Sequence, residues 1–447
     1  MTRRHLVPLP TAAPWRGPRR GATTVAAALL VAACAAPALA VPPPPRPTAP
    51  VPAPAPLATA APLATSPATT DAGAGAHARY GRGTLRSVTP LARLSRDEVA
   101  HAVGEHGVDV SSVRHGIATH RIEYATITPT GEPTTASALL TLPDGGGHAL
   151  STVAELHGTV AHREDAPSVG DNVTRLGAYL YAAGGRATVA PDYLGLGTSP
   201  GTHPYMDTAS SVSASLDALR AARTATARLG RALTGEVHVT GFSQGGQVAM
   251  GLGRALAHGA DRHLRLRSLT PVSGPYDIAG QELPAIFDGR VDDGSAVFYL
   301  AYFLTAQNRL HPLYDDPREV FRQPYADRME TLFDGEHSDE DVARGLPATV
   351  DALLTEEWKA RLQHPTGTLA EVIEGIDGTC AWRPRVPVRL HTAAGDRDVP
   401  TGNTTSCASE LRRRGAHPEV VRHGDVDHLR GYLGALSDNA RWLAHHG

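Results

Sequence analysis

Gly241-Phe242-Ser243-Gln244-Gly245 sets one serine between two glycines, behind the β-branched run Val237-His238-Val239-Thr240 and ahead of the helix-like Gly246-Gln247-Val248-Ala249-Met250. Strand, tight turn and helix in that order describe a nucleophile elbow, in which the serine occupies a strained turn that lifts its hydroxyl above the sheet. Glycines suit the flanks because side chains there would clash as strand and helix close on each other. A serine hydroxyl is a weak nucleophile at neutral pH. It needs an imidazole to take its proton and a carboxylate to orient that imidazole. Five residues alone are a weak signal, so the partners must be found elsewhere in the chain.

An elbow serine is followed in the chain by its acid and then by its histidine. Downstream, Val386 to His391 reads as a strand, and Asp396-Arg397-Asp398-Val399-Pro400 stands just past it, where a carboxylate can meet the base. Asp396, in a D-x-x-V-P spacing, is preferred as the acid, and Asp398 is the alternative. The aspartate left over is expected to cap the helix after Thr401. Position selects His428 as the base among 22 histidines: it follows the last strand across Gly424-Asp425-Val426-Asp427 and precedes the final helix. His417 and His423 belong to the strand region and read as structural, while His445 and His446 lie at the terminus. An oxyanion needs two amides. The N–H of Gln244 is one, and the turn His157-Gly158-Thr159 offers Gly158 or Thr159 for the other.

These side chains require a scaffold that brings strand ends to one rim. Arg121 to Thr128 and Ser137 to Leu142 read as a hairpin through Pro129-Thr130-Gly131, after a helix start capped by Ser95 with Glu98. Strands are then expected at Thr152 to Leu156, Ala187 to Ala190, Val237 to Thr240, Leu264 to Val272, Val386 to His391 and Glu419 to Arg422. Helices are expected at Asn172 to Ala183, Thr208 to Leu229, about Thr404 to Arg414, and Leu429 to His445. Such alternation implies βαβ crossovers and a mainly parallel sheet, with the site at the carboxyl ends of the strands. From about Tyr276 to Trp382 the alternation stops, replaced by helical segments and prolines. Ala296 to Leu304 there concentrates scarce aromatics, as a buried helix of the insertion, as the lining of an acyl pocket, or as both.

Ala190-Pro191-Asp192-Tyr193-Leu194-Gly195-Leu196-Gly197-Thr198-Ser199, followed by His203-Pro204-Tyr205, resembles the D-Y-x-G-x-G-x-S and H-P-Y block of the secretory-lipase-like branch of the α/β-hydrolase superfamily. Leu156-His157-Gly158-Thr159, Gly241 to Gly246 and Asp427-His428 fall in the family's order. The resemblance runs from about Arg121 to the C-terminus. It implies an α/β-hydrolase fold with a mostly helical cap, and hydrolysis of carboxylic esters, lipid esters included, with Ser243, Asp396 and His428 as nucleophile, acid and base. The Asp192-Tyr193 loop should border the site, but no chemical step is assigned to it, and Gly195 and Gly197 can account for it as a turn.

The N-terminus carries a different message. Arg3-Arg4 and Arg19-Arg20 precede the apolar, uncharged stretch Gly21 to Ala40, an export signal with an A-x-A site at Ala38-Leu39-Ala40. Val31-Ala32-Ala33-Cys34 fits a lipobox equally, in which Cys34 would be lipidated and attach the protein to a membrane. Residues 41–78, nearly all Pro, Ala, Thr and Val, form a spacer with too little apolar surface to fold. The expected plan is 1–40 signal, 41–78 linker, 79–275 hydrolase core, 276–382 cap and 383–447 core. Of the three cysteines, Cys380 and Cys407 remain to form a disulfide in an oxidising compartment. The formal charge of −3, from 42 basic and 45 acidic residues without long runs, argues against nucleic acid as a partner. No lysine follows a glycine cluster to make a phosphate loop, no Cys/His spacing suits zinc, and the chemistry calls for no cofactor. Acyl transfer, peptide cleavage, or ligand binding without catalysis are the rival uses of this layout.

Overall fold

β-Branched and apolar runs punctuated by glycine and proline turns divide the chain into alternating elements. The computed structural model describes residues 81–446. The export stretch with Cys34, the spacer and the expected onset of order near Tyr80 lie outside the described residues. Among the described residues nine strands form one sheet: β1 (Leu85–Leu94), β2 (Ile117–Ile127), β3 (Pro133–Pro143), β4 (Ala149–Leu156), β5 (Ala187–Pro191), β6 (Ala232–Phe242), β7 (Arg265–Val272), β8 (Arg389–Thr392) and β9 (Glu419–Arg422). Their order is β1-β2-β3-β5-β4-β6-β7-β8-β9. β1, β2, β3 and β5 pair antiparallel in succession. All pairings from β5 through β4 to β9 are parallel.

Helices cover both faces, as a largely parallel sheet requires. Helices α1 (Arg96–Gly104), α2 (Leu176–Ala183) and α8 (His428–His446) bury residues such as Val99, Leu180 and Leu436 against Ile117, Val153 and Val272. Helices α3 (Thr208–Arg228), α4 (Gln244–Ala257) and α7 (Gly402–Arg413) bury Leu219, Val248 and Leu411 against Leu140, Leu156 and Val239 on the other face. The chain between β7 and β8 is mostly helical and includes α5 (Asp293–Asn308) and α6 (Gly367–Asp377). It has an apolar core of its own, which Ala161, Tyr205 and Met206 from the sheet side join. No helix among the described residues is long and apolar enough to cross a membrane.

β2, β3, β4 and β6 begin three to five residues before the strands read from sequence, and three further departures have a local physical reason. β1 was not expected, because it lies at the sheet edge with most side chains exposed, carries Pro90, and has register shifts at Leu85/Ser87 and Pro90/Ala92. An edge strand tolerates proline and needs no apolar alternation. β8 begins at Arg389, not Val386: Pro387 has no N–H to give, and this stretch meets β7 only through a Leu269–Val388 bridge and the Pro387 carbonyl, which accepts from Leu269 N at 3.0 Å. Asn172 opens a 3₁₀ turn by accepting from Thr174 N at 3.0 Å, and the regular helix starts only at Leu176. The Ser95–Glu98 capping box is present as expected.

Candidate active site

Register brings the site together. Leu156 on β4 pairs with Gly241 on β6, so that His157-Gly158 and Phe242-Ser243 leave the sheet side by side. Val272 on β7 pairs with both Phe242 and His391. Asp396 and His428 therefore follow β8 and β9 at the same carboxyl rim, where open α/β sheets place their ligands.

Ser243 has φ 55° and ψ −122°, a left-handed conformation costly for a residue with a side chain. Its N–H donates to Val272 O at 2.9 Å. The turn closes tightly: a Cβ on Gly241 would strike the Gly245 carbonyl, and one on Gly245 would strike that of Leu156. Helix α4 starts immediately afterwards and the Ser243 side chain does not cap it. The hydroxyl is left for other use, and the first amides of α4 have no partner within the helix.

His428 Nδ1 lies 2.7 Å from Asp396 Oδ2. An imidazole nitrogen facing a carboxylate carries the proton. Asp396 Oδ1 accepts from the backbone N–H groups of Asp398 at 3.0 Å and Val399 at 2.8 Å, so the carboxylate is fixed at both oxygens. Burial works to lower the His428 pKa, but the bond to Asp396 and its charge outweigh it and hold the imidazole above its ordinary value. The His428 ring lies 4.4 Å from that of Phe242, the residue before the serine. Its Nε2 is buried and has no hydrogen-bond partner among the described residues. Asp398, the alternative acid, goes elsewhere: its Oδ1 accepts from Ser295 Oγ at 2.5 Å and Tyr299 OH at 3.2 Å on α5. It does not cap the helix after Thr401 either, because that helix end has no side-chain cap. The aspartate ties the helical insertion to the rim instead.

The D-Y and H-P-Y blocks acquire roles that spacing did not reveal. His203 Nδ1 lies 2.8 Å from Leu194 O and must be the N–H, which leaves Nε2 to accept from Gln244 Nε2 at 3.0 Å. Burial lowers the His203 pKa to about 4, keeping the ring neutral. Tyr205 OH bonds Thr159 Oγ1 at 3.0 Å. One short motif thus braces both residues expected to frame the oxyanion. Tyr193 packs its ring 4.4 Å from that of His157 and donates to the His157 carbonyl at 3.3 Å. Asp192 accepts from the hydroxyls of Ser137 and Ser168, each at 2.5 Å, and from Ser168 N at 2.8 Å. The loop is an anchored brace for His157-Gly158-Thr159. On the far side of that turn, Asp339 of the insertion accepts from Ala161 N at 2.9 Å.

A narrow cavity lined by Ser243, Thr159, Gln244, Tyr299, Phe303 and Glu282 lies between the rim and the insertion, its empty space amounting to about 550 Å³ only when the mouth open to solvent is included. Helix α5 therefore both packs the insertion and faces the serine. Its lining is mainly apolar, and Glu282 was not singled out from sequence, where it is one acid in an irregular segment. The structure gives the segment form by Asp377, whose carboxylate accepts from Ile278 N at 2.5 Å and Ala279 N at 3.1 Å. Asn403, in the sequon Asn403-Thr404-Thr405, has no exposed surface and donates to Glu282 Oε2 at 2.6 Å. It is a buried strut, closed to glycosylation. His423, read as structural, bonds His391 Nδ1 through its Nε2 at 2.9 Å. Cys380 and Cys407 form the expected disulfide, joining the end of the insertion to α7.

A sheet of this order, with an elbow serine and an acid–imidazole pair at its carboxyl rim, defines the α/β-hydrolase fold. Residues 156–444 match the alpha/beta hydrolase family, and the chain belongs to it. That agrees with the resemblance drawn from the D-Y and H-P-Y blocks. Among solved structures, the rice cell wall degrading esterase LipA from Xanthomonas oryzae is similar at 27% identity and TM-score 0.70, covering 82% of this chain and 98% of its own. A protein of Legionella pneumophila taken to be a hydrolase shares the fold at 24% identity and TM-score 0.74, over 80% of this chain and 96% of its own. Candida antarctica lipase A shares it more distantly, at 15% identity and TM-score 0.58, over 79% and 80%. The comparison with curated proteins returns no match.

Proposed function

We propose that the protein is a serine hydrolase of carboxylic esters acting outside the cytoplasm. His428 Nε2 takes the Ser243 proton as Oγ bonds to the ester carbonyl carbon. The amide of Gln244, with that of Gly158 or Thr159, holds the oxyanion. The C–O bond to the alcohol then breaks and the alcohol leaves with the proton from His428. Water adds to the acyl-enzyme, giving its proton to His428, and the acid departs as Oγ is reprotonated. Asp396 keeps the imidazole in the tautomer that leaves Nε2 free. The observation that carries this reading is the 2.7 Å contact between His428 Nδ1 and Asp396, with Nε2 left unbonded and the ring packed 4.4 Å from that of Phe242, the residue before the strained Ser243. The esterase among the structural neighbours adds support, and the apolar cavity at Ser243 suits an acyl chain, with the insertion as its cap. The disulfide and the export stretch support a site of action beyond the cytoplasm, held at a membrane if Cys34 is lipidated.

A p-nitrophenyl ester series of increasing acyl length tests the reading, run on the wild type and Ser243→Ala. Hydrolysis should be measurable with the wild type and fall to background in the variant. A fluorophosphonate should label only the wild type. No hydrolysis and no labelling would sink the proposal. Product analysis with added alcohol, and an aminopeptidase substrate panel, separate hydrolysis from acyl transfer and peptide cleavage.

A further inference from the structure

Glu282 is 7% exposed and lines the same cavity as Ser243. One carboxyl oxygen, Oε2, is held by Asn403 Nδ2 at 2.6 Å, and Asn403 is in turn fixed by accepting from Asp277 N at 3.1 Å. The other oxygen, Oε1, has no hydrogen-bond partner among the described residues. It is not closed off from water, so a hydroxyl on an ester held in this mainly apolar cavity can pair with it in place of water. We propose that Glu282 is a specificity-determining residue, selecting esters that carry a hydroxyl group, on either the acyl or the alcohol part, over plain alkyl esters of the same size.

Burial, opposed by the Asn403 bond and reinforced by the nearby charge of Asp396, raises the Glu282 pKa to about 8. At neutral pH the group is mostly a neutral acid, able both to donate to and to accept from a hydroxyl. Its partner should therefore be an uncharged oxygen and not a cation. A site built around a hydrogen bond discriminates against the analogue that lacks the group, because the buried partner is then left unpaired.

This inference rests on the ester-hydrolase reading, and the test keeps the two apart. Acid release is followed for p-nitrophenyl butyrate against p-nitrophenyl 3-hydroxybutyrate, and for propyl butyrate against glyceryl monobutyrate. The enzymes are the wild type, Glu282→Gln and Glu282→Leu. In one of the two pairs the wild type should favour the hydroxylated ester by roughly tenfold in kcat/KM, the scale of one net hydrogen bond. Glu282→Gln, which keeps a donor and an acceptor, should retain the preference, and Glu282→Leu should bring the ratio close to one. The ratio is taken within each variant, so a smaller folded fraction does not disturb it. A purely structural carboxyl would leave it unmoved. A wild-type ratio near one in both pairs, or an unchanged ratio in Glu282→Leu, overturns the inference while hydrolysis itself stands. Failure to release acid from all four esters overturns both.

Discussion

Replacing Asp396 by asparagine should cost far more than the volume change suggests, because the backbone dictates how the new amide sits. Asp396 Oδ1 already accepts two main-chain N–H groups, from Asp398 and Val399. An asparagine can keep those bonds only by placing its own carbonyl oxygen there. That turns its NH₂ toward His428 Nδ1, 2.7 Å away in the wild type. Two donors cannot face each other, so Nδ1 must give up its proton and Nε2 must take one. The ring is then in the wrong tautomer to accept the Ser243 proton. The same change in a Ser-His-Asp triad lowers kcat by about 10⁴, or roughly 5 kcal/mol in the barrier. Asp398→Asn is the control: asparagine still offers an oxygen to Ser295 and Tyr299, so the loss should stay under about tenfold. The assay is steady-state hydrolysis of p-nitrophenyl butyrate, with circular dichroism to confirm folding. If Asp396→Asn keeps activity within tenfold of the wild type, or Asp398→Asn is the more damaging change, the assignment of the acid is wrong.

Other expectations follow from the same geometry. The imidazole acts as its neutral form and Asp396 raises its pKa, so kcat/KM should fall as pH drops through a value above about 6.5; an acid limb centred below that would contradict the bond. His203→Ala and Tyr205→Phe should each lower kcat by about tenfold with little change in KM, less than the 10²–10³ typical of losing an oxyanion donor outright; a pure KM effect would show that they brace substrate contacts instead. Replacing Cys380 and Cys407 by serine opens a loop spanning 27 positions and should cost about 3.5 kcal/mol in denaturant unfolding, whereas an unchanged midpoint would mean that the bridge adds no stability. Glu155, buried with only Tyr432 OH bonded to it at 3.0 Å, has its pKa raised by burial from 4.5 to about 8. Its folded form holds a proton that the unfolded chain releases, so stability should be lost as pH rises between those values, by up to about 5 kcal/mol. Tm against pH should be flatter in Glu155→Gln; an identical slope would remove Glu155 as the cause.

Much of this site could be read from residues because its parts leave local marks. An elbow needs glycines where backbones nearly touch, so Gly241 and Gly245 advertise Ser243. An acid just past a strand and a histidine just after the last one can be picked out once the chain order of serine, acid and histidine is laid over the expected strands. Bonds across long sequence distances were not visible. Asp396 and Asp398 are two positions apart on one loop; the D-x-x-V-P spacing favours Asp396, but the partner of each side chain, His428 for one and α5 for the other, is visible only in the structure. Glu282 and Asn403 look unremarkable until folding sets one against the other, and Asn403 then contradicts its own sequon by being enclosed. His203 and Tyr205 were legible as a family pattern but not as braces, since their partners Gln244 and Thr159 come from distant strand ends. β1 was hidden for the opposite reason: an edge strand touches too little of the core to need a pattern.

The disulfide has a consequence wherever the chain meets a protease. Cys380 and Cys407 bracket the stretch that holds β8 and Asp396. A single cut anywhere between them would leave two polypeptides, one ending near the acid and the other carrying His428, still covalently joined. Ser243 and His428 would remain on one tethered molecule, and the clipped form could keep its shape where a bridge-free relative would come apart.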